Sequence, residues 1–503
     1  MTEPIPVVDA AHVAWTLKVT RSTDLPPMAW VLRARAPIAQ MACGDLVRRI
    51  GEGVFEGTWT GESGEDGILG STTTFGSGVL VDRGSLVIVP PSHLLEAVYV
   101  SERADVLFAS NSFPGLLAAA QLELDPRVDY PQVFAQSGDG IFRFSVPTLS
   151  EPVVVVLYEP MRLGADGSTT IASRPREAPF TSFEDYRTRL AGALSSAVAN
   201  APGFEPVATI SSGYDSASMA TLARDAGCRR AVTIAEGKPV SGSDRVSDSG
   251  EFVGRSLGME VKSYDRLAYQ RRDDLPEAEF MATGMSGEDV VFSSMGPDLH
   301  KAVLVTGFYG DGVWWLHMPK RALFWRLEQA GTSLGEFRLR TGFVHVAMPW
   351  FGAAQIASVQ AIGRSDEMRP WFLGIGEDRP IPRRILEEAG IPRGRFAEAK
   401  RGVSARIHSH GPEALAPATV VSLRRFAAAE GRGLHFRNWP FPRWRRFAWR
   451  KARRLGAQRL ADWLERPRRK AVRHDAQFGN LLLRWAVDVV RPRYADVEHR
   501  WRS

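Results

Sequence analysis

The segment Val207-Ala-Thr-Ile-Ser-Ser-Gly-Tyr-Asp-Ser-Ala217 decides the fold of the central part of the chain. Its first residues, ending at Ile210, predict a strand, and the residues from Ser216 onward predict a helix. The backbone N–H groups at the start of that helix would point into the loop between the two elements and favour an anion there. The segment therefore predicts a phosphate site between a strand and a helix.

The side chains of the loop suit a phosphate group and a metal ion. Ser211, Ser212 and Ser216 can donate hydroxyl hydrogen bonds to phosphate oxygens, and Gly213 permits a close approach of the backbone. Asp215 repels a bare phosphate, so we expect it to hold a Mg²⁺ ion that bridges one. Taken alone, these residues are equally compatible with a turn that caps a helix.

Strand and helix patterns alternate around this loop. A helix is predicted over 180–200, capped by Thr181 or Ser182, and further helices over 216–227 and 246–258. Strands are predicted over 207–210, 229–236, 259–265 and 302–307. This alternation is typical of a parallel sheet covered by helices, in which ligands bind at the carboxyl ends of the strands. After residue 320 the pattern is mainly helical.

Residues 1–175 have the pattern of a β-rich region. Short apolar runs such as GVLVD, SLVIVPP, AVYVSE, VLFAS and VVVVLYEP are separated by turn residues. The glycine-rich stretch 61–78 has no basic residue, and we expect hairpin turns there. The predicted fold class is α/β, with a β-rich domain over 1–178, a doubly wound parallel-sheet domain over 179–418 and a helical extension over 419–503.

The composition narrows the class of protein. Hydrophobic residues make up 44% and charged residues 24% of the 503 positions, which is typical of globular domains. The longest aliphatic runs are too short to cross a bilayer, and the first residues lack the pattern of a secretory signal. Two cysteines, Cys43 and Cys228, exclude a disulfide framework and a cysteine-rich zinc site, and they fit a cytoplasmic location. His408 and His410 are expected to be solvated loop residues.

The C-terminal region is strongly basic. Residues 421–503 contain 22 Lys and Arg against 7 Asp and Glu, together with six tryptophans, although the whole chain has a net charge of only +6. Interleaved arginine and tryptophan suits an anionic membrane surface, here the inner face of the cell membrane, or an acidic polymer. Nucleic acid is a further partner of this composition, and a helical subdomain with core tryptophans is the structural alternative.

The loop SSGYDS resembles the SGGxDS loop of ATP pyrophosphatases (the PP-loop), which form AMP and pyrophosphate. Four positions match, and Ser212 replaces a glycine. The surrounding order of segments resembles the synthetase domain of glutamine-dependent asparagine synthetases and their relatives, the β-lactam synthetases and lasso-peptide cyclases. The resemblance implies ATP and Mg²⁺ as cofactors.

Three further segments carry the resemblance over about 200 residues. Segment 303–312 resembles the LLSGxGxDE loop, in which Thr306, Gly307 and Asp311 match and Gly312 replaces a glutamate. Asp311 is thereby implied as a second Mg²⁺ ligand. Segment 344–356 resembles the VRVPFLD element, and segment 381–404 ends like the catalytic RxKRGF motif. The resemblance implies catalytic roles for Lys400 and Arg401.

The sequence does not decide two parts of the site, the contact with adenine and the proton acceptor. Ile234, with the two residues after it, falls where relatives bind adenine, and it is equally compatible with an ordinary strand end. Relatives that cyclise their substrate use a Tyr–Glu pair as proton acceptor. Here Tyr309 or Phe308 lies near the first position, and the second falls near Val344, beside His345. The proton acceptor is therefore not identified.

The N-terminal region resembles a degenerate glutamine-amidotransferase (Ntn-like) domain. Asparagine synthetases use an exposed N-terminal cysteine, whereas this chain begins Met1-Thr2-Glu3. Segment 106–119 nevertheless resembles the LLFASExKALL segment of that domain. Thr2 as a nucleophile is a minor alternative, and Cys43 is expected to be a core residue.

Together these features predict an ATP-dependent ligase that adenylates a carboxylate substrate and forms an amide with ammonia or an amine donor. The carboxylate is a small molecule or a peptide. A peptide macrocyclase of the lasso type and a non-catalytic ATP-binding regulatory protein are the alternatives. The sequence is also compatible with a homo-oligomer.

Overall fold

Residues 14–180 form two β-sheets and three short α-helices. The computed structural model describes residues 14–236, 248–316, 324, 329–374, 378–396, 402–405, 407, 414–431, 469–497 and 501. The strands of this part are β1 Thr16–Arg21, β2 Trp30–Arg35, β3 Ile38–Cys43, β4 Arg48–Ile50, β5 Gly53–Trp59, β6 Thr74–Asp82, β7 Ser85–Val89, β8 Val98–Arg103, β9 Val106–Ser110, β10 Arg143–Val146, β11 Val153–Val156, β12 Met161–Leu163 and β13 Thr169–Ile171. The helices are α1 Glu65–Gly70, α2 Phe113–Ala119 and α3 Tyr130–Ala135.

These two sheets pack face to face. One has the strand order β1-β3-β2-β9-β8-β11-β10 and the other β13-β12-β7-β6-β5-β4. Buried residues of both sheets, among them Leu32, Met41, Val79 and Ile88, form one hydrophobic cluster between them. The alternation of apolar residues along each strand produces this inner face, since successive side chains of a strand point to opposite sides.

The second part of the chain alternates strands and helices. Its elements are α4 Phe183–Ala199, β14 Glu205–Thr209, α5 Tyr214–Asp225, β15 Arg230–Ile234, α6 Glu251–Ser256, β16 Glu260–Tyr264, α7 Pro276–Met281, α8 Gly296–Leu299, β17 Ala302–Thr306, α9 Gly310–Trp314, α10 Gly335–Thr341, β18 Val344–Ala347, α11 Ile356–Gly363, α12 Pro380–Glu388, α13 Pro417–Ala429 and α14 Arg469–Val490.

The five strands of this part form one parallel sheet. Its order is β16-β15-β14-β17-β18, and every neighbouring pair is parallel. The chain thus moves outward from β14 to β16 on one side and then returns to place β17 on the other side of β14. The strand order changes direction between β14 and β17, and this divergence point is where open parallel sheets form ligand crevices.

Most predicted elements are present at the predicted positions. The coarse α/β class is confirmed, and the predicted helix cap is Ser182, whose side chain accepts a hydrogen bond from the Asp185 N–H. The prediction of hairpin turns was wrong, and the mainly helical C-terminal region has one addition. The glycine-rich stretch 61–78 contains helix α1 and the start of β6, because Ile68 packs into the hydrophobic cluster on the outer face of the second sheet. The region after residue 320 also contributes a strand, β18.

The C-terminal helix packs back onto the rest of the molecule. Helix α14 contacts α3 and α7, and the 3₁₀ turn Arg491–Tyr494 contacts α2. A single hydrophobic cluster includes Phe113, Leu304 and Trp485, so the core is continuous through all three predicted domains, whose boundaries stay predictions. Among the described residues, none of the helices combines the length and apolar character needed to cross a membrane.

Candidate functional site

The predicted phosphate loop joins β14 to α5 at the divergence point of the parallel sheet. Helix α5 begins at Tyr214, directly after Gly213, rather than near Ser216 as the sequence suggested. Ser211 and Ser216 share a hydrogen bond between their hydroxyl oxygens at 2.6 Å, and the Ser211 N–H donates to Ser216 Oγ at 3.1 Å. The Gly213 N–H donates to Ser211 Oγ. The loop is therefore closed by its own serines.

Ser212 has a different partner. Its hydroxyl donates to Asp248 Oδ1 at 2.8 Å, and its N–H donates to the Asp248 carbonyl at 3.1 Å. Gly250 lies against the same loop, since a Cβ there would be 2.8 Å from the Ser211 nitrogen. The segment that precedes α6 thus holds the phosphate loop, and Ser212 acts as part of this support.

The loop after β17 meets the phosphate loop directly. A Cβ on Gly307 would lie 2.3 Å from the Asp215 carbonyl carbon and 2.5 Å from the Ser216 nitrogen. A Cβ on Gly310 would lie 2.7 Å from the Asp215 carboxyl carbon. Asp311 follows Gly310 in the first turn of α9, and its Oδ1 accepts from the Gly312 N–H at 2.9 Å. The structure therefore brings the loops of the two predicted metal ligands, Asp215 and Asp311, together.

Two arginines, one in α12 and one just before it, clamp the start of α5. Arg379 Nη1 contacts Asp215 Oδ2 at 2.5 Å, and its side chain is only 8% exposed. One turn later, Arg383 donates to the Tyr214 hydroxyl at 2.6 Å and pairs with Asp378. The arginines place positive charge beside the predicted phosphate site. Arg379 was not predicted from the sequence, although it lies just before segment 381–404.

An aromatic pair borders the glycine at position 312. The Tyr309 ring stacks on Trp350 with centroids 4.0 Å apart and an interplanar angle of 13°. A Cβ on Gly312 would lie 2.6 Å from the Tyr309 ring, so a side chain at 312 would compete with this stack. The Trp350 indole N–H is buried and has no hydrogen-bond partner among the described residues. An aromatic wall therefore borders the loop that carries Asp311.

Thr306 and Ile234 mark the ends of their strands. Ile234 is buried at the end of β15, on the same edge of the sheet as the phosphate loop. Thr306 is also buried, and its Oγ1 shares a hydrogen bond of 3.0 Å with His345 Nε2 on β18. The threonine side chain is thus directed toward its neighbouring strand and bonded there.

Beneath His345 lies a buried group of charges from both halves of the molecule. Arg338 forms a two-point contact with Glu56, at 2.6 and 3.0 Å, and a further contact with Glu96 at 2.9 Å. Glu96 Oε1 also lies 3.4 Å from His345 Nδ1. Burial alone would raise the pKa of Glu96, but Arg338 and His345 hold it at about 2. This network was not predicted, because Glu56, Glu96 and Arg338 are far apart in sequence.

The structure does not describe all of the predicted site residues. Lys400, Arg401, His408 and His410 lie outside the described residues, as does most of the basic tail. Within the described residues, no group of three or more His, Cys, Asp or Glu side chains is arranged to hold a metal ion. The predicted Mg²⁺ site consists of two carboxylates, Asp215 and Asp311, and would need phosphate oxygens to complete it.

In comparisons with known proteins, no family model matches the chain and no curated protein matches it. Function is therefore inferred from the geometry. Two loops meet at the crevice of a parallel sheet, each with a carboxylate, and a buried arginine lies beside them. Such an arrangement can bind a polyanion together with a divalent cation.

Proposed function

We propose that the protein is an ATP-dependent ligase that adenylates a carboxylate and forms an amide with ammonia or an amine. The observation that carries the proposal is the contact between the loop after β14 and the loop after β17. Gly307 and Gly310 allow the second loop to lie against Asp215, and Asp311 follows directly. A helix N-terminus, serine hydroxyls and two carboxylates at one crevice suit a nucleotide pyrophosphate.

The finer fold assignment is part of the proposal. The strand order with β14 and β17 at the centre supports a PP-loop synthetase domain like that of the asparagine synthetases. The two packed sheets that precede it support an Ntn-like amidotransferase relative. Cys43 is fully buried, and burial raises the pKa of its thiol, which argues against a role for it as a nucleophile. The nitrogen would then come from ammonia or from an amine substrate.

The two carboxylates fit a magnesium ion. Mg²⁺ is commonly held by one or two carboxylates together with substrate phosphates, and both Asp215 and Asp311 are partly exposed at the crevice. When bound there, Mg²⁺ would offset the charge on the leaving pyrophosphate. Arg379 already neutralises part of the Asp215 charge, so the arginine and the metal ion would share this carboxylate.

The residues of the chain then have distinct tasks. The N–H groups of the α5 N-terminus and the hydroxyls of Ser211 and Ser216 bind the phosphates, in exchange for the hydrogen bond that now joins those serines. Ser212 holds the loop through Asp248. Arg379 lies beside the phosphates as a second positive group, and Ile234 provides an apolar edge for the base. Lys400 and Arg401 are proposed to stabilise charge at the α-phosphate, where one such contact is typically worth about 10²–10³ in rate.

In the first step a carboxylate oxygen of the substrate attacks the α-phosphorus of ATP. A bond forms between this carboxylate oxygen and the α-phosphorus. The bond between the α-phosphorus and the oxygen that bridges it to the β-phosphorus breaks, so that pyrophosphate leaves. In the second step an amine attacks the activated carbonyl carbon, and AMP leaves with the electron pair of the broken bond. A carboxylate alone is a poor electrophile, and this activation makes amide formation feasible in water.

Location and partners are proposals that depend on residues outside the described part. A cytoplasmic protein whose basic tail contacts an anionic membrane surface or an acidic polymer fits the composition. Nucleic acid and a homo-oligomer remain predictions from the sequence. The carboxylate substrate is a small molecule or a peptide, and the aromatic wall of Tyr309 and Trp350 is a candidate surface for it.

The test is exchange of radiolabelled pyrophosphate into ATP, with Mg²⁺ and a panel of aspartate, sugar acids and carboxylate-bearing peptides. Wild type should exchange with at least one carboxylate, and Asp215→Asn or Asp311→Asn should lower the rate by about 10²-fold or more. Asp225→Asn, at the exposed far end of the same helix α5, should exchange like wild type.

The outcomes separate the alternatives. Binding of ATP–Mg²⁺ without exchange for any carboxylate would favour the non-catalytic ATP-binding protein. Exchange with a peptide that then loses water on cyclisation would favour the macrocyclase. Equal exchange in Asp215→Asn and wild type would exclude the proposed role of the crevice.

A further inference from the structure

A line of three neighbouring side chains, with a charge contact at one link and a hydrogen bond at the other, connects the first half of the molecule to the end of β17. Glu96 Oε1 lies 3.4 Å from His345 Nδ1, and His345 Nε2 lies 3.0 Å from Thr306 Oγ1. The His345 side chain is fully buried and that of Glu96 is 6% exposed. The line ends at the residue before Gly307, whose backbone contacts Asp215 and Ser216. It therefore leads from a buried carboxylate to a threonine that is 1% exposed and lies next to the loop of the proposed ATP crevice.

The charges around the histidine decide how its ring can work. An ionised Glu96 favours the tautomer in which Nδ1 carries the hydrogen, and this leaves Nε2 to accept from the Thr306 hydroxyl. The low pKa of Glu96 supports its ionised form. The other titratable or charged groups that face His345 are His93, Arg338 and Asp289. Arg338 pairs with Glu96, and Asp289 accepts hydrogen bonds from Gly331 and Ser333, so neither replaces Glu96 at the ring.

We propose that Thr306 and His345 form the proton relay for the amide-forming step. The amine nitrogen attacks the carbonyl carbon of the acyl adenylate, the carbon–nitrogen bond forms, and AMP leaves with the electron pair of the carbon–oxygen bond. The amine proton passes to Thr306 Oγ1 while the threonine hydroxyl proton passes to His345 Nε2. Glu96 stabilises the resulting imidazolium. Thr306 meets the amine, and His345 is a positioning residue that acts through it.

This inference rests on the proposed function, and it supplies the proton acceptor that the sequence did not identify. It also gives His345 a different task from the family glutamate near that place, because the imidazole reaches the site through a threonine hydroxyl. The adenylation step needs no proton acceptor, since the attacking carboxylate is already ionised. The two half-reactions therefore respond differently to a loss of the relay, and this difference makes the test specific.

The experiment compares pyrophosphate exchange with amide formation in His345→Gln, Thr306→Val and Thr306→Ser, using ammonium chloride as the amine source. His345→Gln and Thr306→Val should keep exchange within about threefold of wild type and lower kcat for amide formation by about 10²-fold or more, with the KM for ammonia unchanged. Thr306→Ser should restore most of the rate.

Two controls identify failures of other kinds. His300→Gln removes an exposed imidazole that contacts the Thr341 carbonyl, and it should leave both half-reactions unchanged. Hydroxylamine attacks acyl adenylates without enzymatic help, so its product should form at the wild-type rate in His345→Gln. Retained exchange also shows that each variant is folded.

Three results would overturn the relay. Equal amide formation in His345→Gln and wild type excludes it while leaving the proposed ligase intact. An NMR spectrum of isotope-labelled histidine in which His345 carries its proton on Nε2 excludes it independently of any substrate. Absence of exchange with every carboxylate in wild type removes the proposed function, and the relay with it.

Discussion

The Cα of Gly307 lies so close to the backbone of Asp215 that a Cβ would be 2.3 Å from the Asp215 carbonyl carbon. Real Cβ atoms do not approach a backbone carbon to this distance. The contact joins the ends of two neighbouring strands, β14 and β17, at the divergence point of the sheet. Glycine at 307 is therefore a condition for the juxtaposition of the two loops on which the proposed function depends.

Gly307→Ala tests this condition. The new methyl group meets backbone atoms that cannot rotate away, so the substitution should lower the free energy of unfolding by about 1–3 kcal/mol and reduce pyrophosphate exchange by about 10-fold or more. Thermal and urea unfolding give the first value, and exchange gives the second. Gly192→Ala is the matched control: a Cβ at this position inside α4 would have nothing within 4 Å, and alanine should stabilise that helix by about 0.5–1 kcal/mol. A tolerated alanine at 307 would contradict the close packing of the two loops.

Gly312 and Tyr309 should behave as a coupled pair. Gly312→Ala places a methyl group 2.6 Å from the Tyr309 ring, which stacks on Trp350, and it should lower the free energy of unfolding by about 1–3 kcal/mol. Tyr309→Gly removes the ring and tolerates the positive φ of 73° at that position. The double variant should then lose less free energy of unfolding than the sum of the losses in the two single variants, by about 0.5–3 kcal/mol.

Urea unfolding of the four proteins in this cycle measures the coupling. Gly296→Ala is the control, because the nearest atom to its Cβ is 3.7 Å away, and its effect should simply add to that of Tyr309→Gly. Additivity of Gly312→Ala with Tyr309→Gly would mean that the Tyr309 ring does not restrict the side chain at position 312.

The parallel sheet and its loops could be predicted because their signals are local. The signals for strand β14, for the Ser182 cap and for the apolar spacing of α4 each lie in adjacent residues. The start of α5 was predicted two residues late, since Tyr214 and Asp215 resemble loop residues in sequence but enter the first turn. Helix α1 was not predicted, because the glycines at 64, 67 and 70 are typical of turns and Ile68 is the one large side chain that this helix buries.

The supporting residues of the site could not be predicted because their partners are distant in sequence. Arg379 reaches Asp215 over 164 positions, and Arg338 reaches Glu56 over 282. No residue next to Glu96 in the sequence indicates that His345 is its neighbour in the structure. A charged residue inside an apolar context, as at Arg338 in the run EFRLRTGFVHVA, is the one signal that favours a buried ion pair, and it does not name the partner.

Arg338→Met should destabilise the fold more than either glycine substitution. It leaves the carboxylates of Glu56 and Glu96 buried without the cation between them, and removal of one member of such a buried group costs about 3–5 kcal/mol. Urea unfolding measures the change. Arg369→Met is the matched control, because its ion pair with Asp366 is exposed on both sides and should contribute less than about 1 kcal/mol. Similar effects of the two substitutions would argue against a buried, ionised network.

Glu336 gives the protein a stability that depends on pH. Burial raises the pKa of this carboxyl from 4.5 to about 7, although hydrogen bonds from Ser112 and Tyr494 and the charge of Arg493 oppose the rise; Glu279 adds to it. The folded state therefore binds the proton more tightly than the unfolded state does. The contribution of Glu336 to the free energy of unfolding is complete below pH 4.5 and is lost as the pH rises through about 7.

The free energy of unfolding should consequently fall by on the order of 3 kcal/mol from this group between pH 4.5 and 7. Glu336→Gln keeps an acceptor for the Tyr494 hydroxyl but cannot titrate, so it should flatten this part of the profile. Glu123→Gln removes an exposed carboxylate that contacts Arg491 on the same C-terminal turn, and it should retain the wild-type profile. Urea unfolding at half-unit steps of pH measures this profile. A Glu336→Gln profile parallel to that of wild type would show that the pKa of Glu336 is the same in the folded and unfolded states.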